Sequence, residues 1–152
     1  MLVDKLKLLQ AVLRLYCSNM SVLHWNSTGE EFNDAHRGIA EVYEDLFHKH
    51  IDDIGEFITR FDGFPANYKE VLELIESADH DFLMVDSSRL YTRKDIILLS
   101  QTMLNDTVNL ISEVLDDDTL EDHINAGMKS ELETILNEFD LQYRYINKRR
   151  LS

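Results

Sequence analysis

Between His24 and Glu56 the sequence concentrates side chains that bind metal ions: His24, His36, His48 and His50, with Glu41, Asp45, Asp52 and Glu56. At about 100° per residue of regular α-helix, positions 41, 45, 48, 52 and 56 share roughly 80° of arc, so four carboxylates and an imidazole fall on one stripe. Carboxylates with a little imidazole suit iron(II) and leave coordination positions open for an oxidant, whereas structural zinc calls for more cysteine or histidine. The solvated face of an amphipathic helix looks the same, and spacing alone favours that plainer reading.

Long helices are needed to hold such a stripe. Leu6, Leu9, Leu13, Tyr16, Met20 and Leu23 recur at steps of three and four, predicting a helix over about 2–27 that ends in the turn residues Asn26, Ser27, Thr28 and Gly29. Asn33 or Asp34 can cap a second helix, whose apolar positions Tyr43, Phe47, Ile51, Ile54, Ile58 and Phe61 keep the period until Asp62-Gly63-Phe64-Pro65 stops it, with Gly63 placed as a C-cap. A short helix over about 68–78 and an irregular segment over about 79–91 follow, with Phe82, Leu83, Met84 and Val85 too apolar to face water. Thr92 and Asp95 form a capping-box pattern opening a third long helix to about Leu115, apolar over a wide arc. After Asp116-Asp117-Asp118-Thr119, a fourth helix carries Ile124, Met128, Leu132, Ile135, Phe139, Tyr143 and Ile146 on one face. The expectation is an all-α protein, one domain over 1–152. Its architecture is an antiparallel four-helix bundle of the ferritin-like crossover type, with a short extra helix in the long connection between the second and third long helices.

With 29 acidic against 15 basic residues, a net charge of -14 disfavours a direct grip on nucleic acid. Lys148-Arg149-Arg150 is more simply a complement to a helix C-terminus. A lone cysteine, Cys17, excludes an intrachain disulfide and fits a reducing compartment, where its plain role is that of a small buried apolar residue. With no signal-peptide pattern and no membrane-spanning run, a cytoplasmic location is expected. His48, His50, His80 and His123 show no partner pattern, and surface or interface positions are the default.

His24-Trp25-Asn26, Gly29, Phe32, Asp52-Asp53-Ile54-Gly55-Glu56 and Asp62-Gly63-Phe64-Pro65 together resemble the Dps-type mini-ferritins, iron-handling members of the ferritin-like superfamily. The likeness covers about residues 16–75 by motif and the remainder by helix order. It implies a metal site shared between two subunits, with His24, His36 and Glu41 from one chain and Asp52 and Glu56 from a neighbour. Iron(II) would be oxidised there by peroxide or dioxygen, and the ferric product stored in a hollow homo-oligomer, a dodecamer in the family. Trp25 would stand near the site, where the family tryptophan is credited with scavenging radicals; a core or interface aromatic is the plain alternative. The acids Asp116, Asp117, Asp118, Glu121 and Asp122 would line an iron-admitting pore, or simply complement a helix N-terminus. The DNA binding of some members depends on a lysine-rich extension, which this sequence lacks, so none is expected.

The pattern departs from the family at one joint. Counted from His24, the second histidine is His36 and the first acid falls on Ala40; counted back from Asp52, the acid is Glu41 and the histidine position falls on Arg37. Either the helix carries a bulge after His36, or the extra residue lies in the loop and Arg37 occupies the ligand position. The competing functional readings are a ferritin-like shell or interaction protein with a degenerate metal site and, on charge alone, an acidic decoy for DNA-binding proteins.

Overall fold

The face formed by Leu6, Leu9, Leu13, Tyr16, Met20 and Leu23 is fully buried. Each such side chain contributes on the order of 1.5–3 kcal/mol by leaving water, which is why this helix can serve as the central post. A computed structural model describes residues 1–28, 37–39, 43–122 and 125–151. Its long elements are α1 (Leu2–Trp25), a π-helical segment (Tyr43–His48) running directly into α2 (Lys49–Arg60), α4 (Arg93–Leu115) and α5 (Ala126–Leu151), with the short α3 (Tyr68–Ser77) in the crossover. A 3-10 turn (Asp118–Glu121) joins α4 to α5.

Side-chain pairings fix the topology. Gln10 meets Ile51 while Val3 meets Gly63, so α1 and α2 are antiparallel. Tyr16 meets Asp106, Met20 meets Ser100 and Lys5 meets Asp117, so α1 and α4 are antiparallel too. His50 and Arg60 reach Glu138 and Glu131 on α5, again in opposite senses. The result is the expected antiparallel bundle with a long crossover. Phe47 and Phe139 meet edge to face inside it, with ring centroids 5.3 Å apart.

Local chemistry sets the ends of these elements. Thr92 accepts from the Asp95 amide and Asp95 accepts from the Thr92 amide, the expected capping box. Asn67 and Glu70 form a second one at α3. At the end of α2 the expectation needs correction. Asp62, with φ 58°, takes the left-handed conformation, while Gly63 is needed because a side chain there would come within 2.9 Å of both Ile58 and Val3. Asp62 tolerates that backbone better than most residues.

The crossover is pinned to α1 as a strap. Asn19 donates to the Leu83 carbonyl and accepts from the Val85 amide. Further along, the Thr28 amide donates to Tyr91 and the Tyr91 amide donates to Asn26. Phe82 is buried as expected, but Met84 is exposed. No helix among the described residues is long and apolar enough to cross a membrane.

Candidate metal centre

Asp52 and Glu56 stand one turn apart on α2, both exposed, which puts their Cβ atoms about 5–6 Å from each other. They line an open groove of about 790 Å³ together with Gln10, His48, Lys49 and Pro65. Gly55 forms part of the wall for a steric reason. Gln10 Nε2 donates to the Ile51 carbonyl at 3.0 Å, and a Cβ at position 55 would lie 2.8 Å from that nitrogen. The glycine in Asp-Ile-Gly-Glu therefore leaves room for the end of the Gln10 side chain beneath the carboxylates. Gln10 is a groove residue that reading the sequence did not find, because its partner lies 41 positions away.

Among the described residues, neither the Asp52 nor the Glu56 carboxylate has an ion-pair or hydrogen-bond partner, whereas most of their neighbours do. Asp53 is committed to His50, and Lys49 lies 3.8 Å from Glu138. Two hard oxygen donors on one wall of an open groove can share a cation, although two carboxylates alone do not complete a coordination shell.

The other expected ligands lie elsewhere. His24 is half-buried near the end of α1, with Ser27 Oγ donating to its carbonyl at 3.0 Å. It is fourteen residues beyond Gln10, about 21 Å along the helix axis, and so far from Asp52 and Glu56 of the same chain. His36, Ala40 and Glu41 lie outside the described residues, as does His123; Arg37 is helical and exposed. Among the described residues, no three His, Cys, Asp or Glu side chains gather as a metal-binding group. Trp25 is 71% exposed, which removes its core reading.

The single uninterrupted stripe also needs correction. The π-helical segment Tyr43–His48 intervenes between Glu41 and Asp52. A π-helix advances by roughly 80° per residue rather than about 100°, so six residues fall short by close to one α-helical step. The π-helical run therefore takes up about one residue before Asp52, while most of the joint from His36 to Glu41 lies outside the described residues. Eleven sequence positions from Glu41 to Asp52 no longer equal eleven regular steps.

One further expectation changes. His50 is not a surface residue: it is 2% exposed, with Nδ1 2.9 Å from Asp53 Oδ2 and Nε2 2.6 Å from Glu138 Oε2. The ring bridges the two carboxylates through its two nitrogens, clamping α2 onto α5 on the side of the helix away from Asp52. Two of the acids before the fourth helix have local partners. Asp117 accepts from Lys5 Nζ and from the Thr119 amide, which hold its carboxyl down at about 2, and Glu121 pairs with Lys129 at 2.8 Å.

No family model matches the chain, and no curated protein matches its sequence. Solved structures do resemble it. The crystal structure of Helicobacter cinaedi CAIP is similar over 99% of both chains, with a TM-score of 0.83 at 17% identity. Dps from Staphylococcus aureus matches 98% of this chain and 94% of its own, with a TM-score of 0.81 at 13% identity. Dps from Vibrio cholerae, described as a member of a broad superfamily of ferritin-like diiron-carboxylate proteins, matches 97% of this chain and 87% of its own, with a TM-score of 0.76 at 18% identity. The fold is that of the Dps-type ferritin-like proteins.

Proposed function

We propose that this chain is a Dps-type mini-ferritin that binds iron(II) at a site shared between two copies and stores the oxidised product in a homo-oligomeric shell. One observation carries the reading. Asp52 and Glu56 present to an open groove carboxylates that have no partner among the described residues, while His24 sits about 21 Å along the bundle from that groove. Carboxylates and imidazole that are separated within one chain become one ligand set when a second copy is apposed. The edge of the groove supports this, since Phe64 and Tyr68 beside Pro65 are 83% and 73% exposed, an apolar rim suited to a second subunit.

In this reading Asp52 and Glu56 of one copy face His24 of another, with His36 and Glu41 as the remaining candidate ligands. Two iron(II) ions give one electron each to a peroxide, yielding ferric iron and hydroxide. The carboxylates hold the substrate cation and favour its more highly charged product. The shell is a dodecamer by resemblance, DNA plays no part, and the protein works in the cytoplasm.

The π-helical segment favours a second reading in which the site has decayed. With one residue absorbed between Glu41 and Asp52, the family's first-acid position corresponds to Ala40, which has no ligand atom. One experiment separates the two. Iron(II) is added without oxygen, followed by peroxide, to the native chain and to Asp52→Asn/Glu56→Gln. The first reading expects fast oxidation that the double substitution abolishes. Native oxidation no faster than a protein-free control sinks it in favour of the second. Size-exclusion chromatography tests the shell separately, and a monomer would refute a shared site.

A further inference from the structure

Tyr16 lies in the middle of the bundle with its side chain fully buried, and its hydroxyl donates to Asp106 Oδ2 at 2.5 Å. The other oxygen of that carboxylate is 3.3 Å from His80 Nε2 on the crossover. Asp106 is 11% exposed and His80 58%, so phenol, carboxylate and imidazole form a line from the core to solvent. None of the three belongs to the proposed metal site.

A buried phenol needs only one acceptor, and a neutral one suffices. Tyr91 illustrates this within the same protein, its hydroxyl donating to the Asp86 carbonyl at 2.6 Å. Tyr16 instead faces a carboxylate, which is costly to remove from water and which can accept a proton. Burial first, and the Asp106 carboxylate second, push the Tyr16 hydroxyl far above its usual range, so it does not ionise by itself. Loss of an electron would change that, because an oxidised phenol is a strong acid. The Tyr16 ring also stands in a file of aromatic contacts. It meets Phe82 at 6.3 Å and Phe47 at 6.4 Å, and Phe82 in turn meets His80 at 4.7 Å.

We propose that Tyr16 is a redox-active tyrosine, which gives one electron to a one-electron oxidant while passing its proton to Asp106. The O–H bond of Tyr16 breaks and an O–H bond forms at Asp106 Oδ2. The products are a neutral phenoxyl radical, a neutral carboxylic acid and an oxidant reduced by one electron. The oxidant class is an oxygen-centred or high-valent metal species of the kind formed when iron(II) meets peroxide. His80 holds the second carboxylate oxygen and links the acceptor to solvent. The core that surrounds the phenoxyl radical keeps it from other molecules, so the oxidising equivalent is trapped. Only the biological source of the oxidant rests on the iron reading; the chemistry rests on these three residues.

The test needs no iron. The full chain is exposed to photogenerated ruthenium(III) tris-bipyridine, and tyrosyl radical is followed by electron paramagnetic resonance and optical absorption. A signal outliving that of free tyrosine by at least an order of magnitude is expected, and Tyr16→Phe should lose it while exposed side chains still give short-lived radicals. Asp106→Asn keeps the shape and an acceptor oxygen but removes the base; formation should slow by an order of magnitude and lose its solvent deuterium isotope effect. Circular dichroism and melting verify that both variants are folded. An undiminished long-lived signal in Tyr16→Phe, or native formation kinetics in Asp106→Asn, overturns the proposal. Because no iron enters, either result leaves the reading of Asp52 and Glu56 where it stood.

Discussion

The His50 clamp gives the most direct measure of what holds α2 in place. His50→Ala removes two hydrogen bonds from an imidazole to carboxylates, 2.9 Å and 2.6 Å long, and the ring's contact with Phe139 at 5.7 Å between centroids. Charge-assisted hydrogen bonds contribute about 1.5–3 kcal/mol each in mutational series. The carboxylates of Asp53 and Glu138 are 39% and 36% exposed, so water replaces much of what they lose, and the pair together is discounted to about 1 kcal/mol. Lost burial of the ring and the cavity it leaves add about 1–2 kcal/mol. The expected destabilisation is therefore about 2–3 kcal/mol, or about 5–10 °C in melting temperature for a chain of this size. Thermal unfolding is measured by circular dichroism at one fixed protein concentration, because subunit association would add its own concentration dependence. Glu138→Gln closes a double-mutant cycle, for which a coupling of about 0.5–1 kcal/mol with His50→Ala is expected. A His50→Ala variant within about 0.5 kcal/mol of the parent, or a cycle with no coupling, would show that the clamp does not hold the two helices together.

Two other perturbations have signs fixed by the geometry. Asp62→Gly should stabilise the chain by about 0.5–1 kcal/mol in denaturant unfolding, because the left-handed backbone at φ 58° costs a residue with a Cβ more than it costs glycine. The depressed Asp117 carboxyl contributes stability that is complete above its ordinary value of 3.8 and is lost as pH falls from there through about 2. Melting temperatures of the parent and of Lys5→Met should therefore differ by a constant amount above pH 4 and converge below it; a gap that stays constant down to pH 2 would refute the Lys5–Asp117 assignment.

What could be read from sequence was what repeats locally. The buried face of α1 follows from the three-and-four spacing of Leu6 to Leu23, and the Thr92–Asp95 box from two residues three apart. Gly63 marked the end of α2, but its reason is a close approach to Val3 on another helix, and the left-handed residue is its neighbour. His50 and Tyr16 were read by type alone, the first as a surface or interface residue and the second as an apolar one. Their partners Glu138 and Asp106 lie 88 and 90 positions away, and no local pattern ties them together. The surplus residue between the two halves of the metal motif was visible as a counting conflict. The six residues of π-helix that follow were not visible, because helices of both kinds hide their apolar side chains and Leu46 and Phe47 fit either. The candidate site was legible at Asp52 and Glu56, whereas Gln10 and the room that Gly55 leaves for its amide required the packing of α1 on α2.

The π-helical segment also makes this helix editable. A helix that already carries a surplus residue can shed it without losing a turn, so removing one exposed position inside the segment, Glu44 for instance, would return Tyr43–His48 to ordinary α-helical pitch. Residues N-terminal to the cut would keep nearly the same bearing relative to Asp52 and Glu56, because six steps of about 80° and five of about 100° turn through almost the same angle. A single-codon deletion inside the segment is therefore absorbed without turning one half of the helix against the other, whereas the same deletion in the regular α2 would rotate the two halves by about 100°.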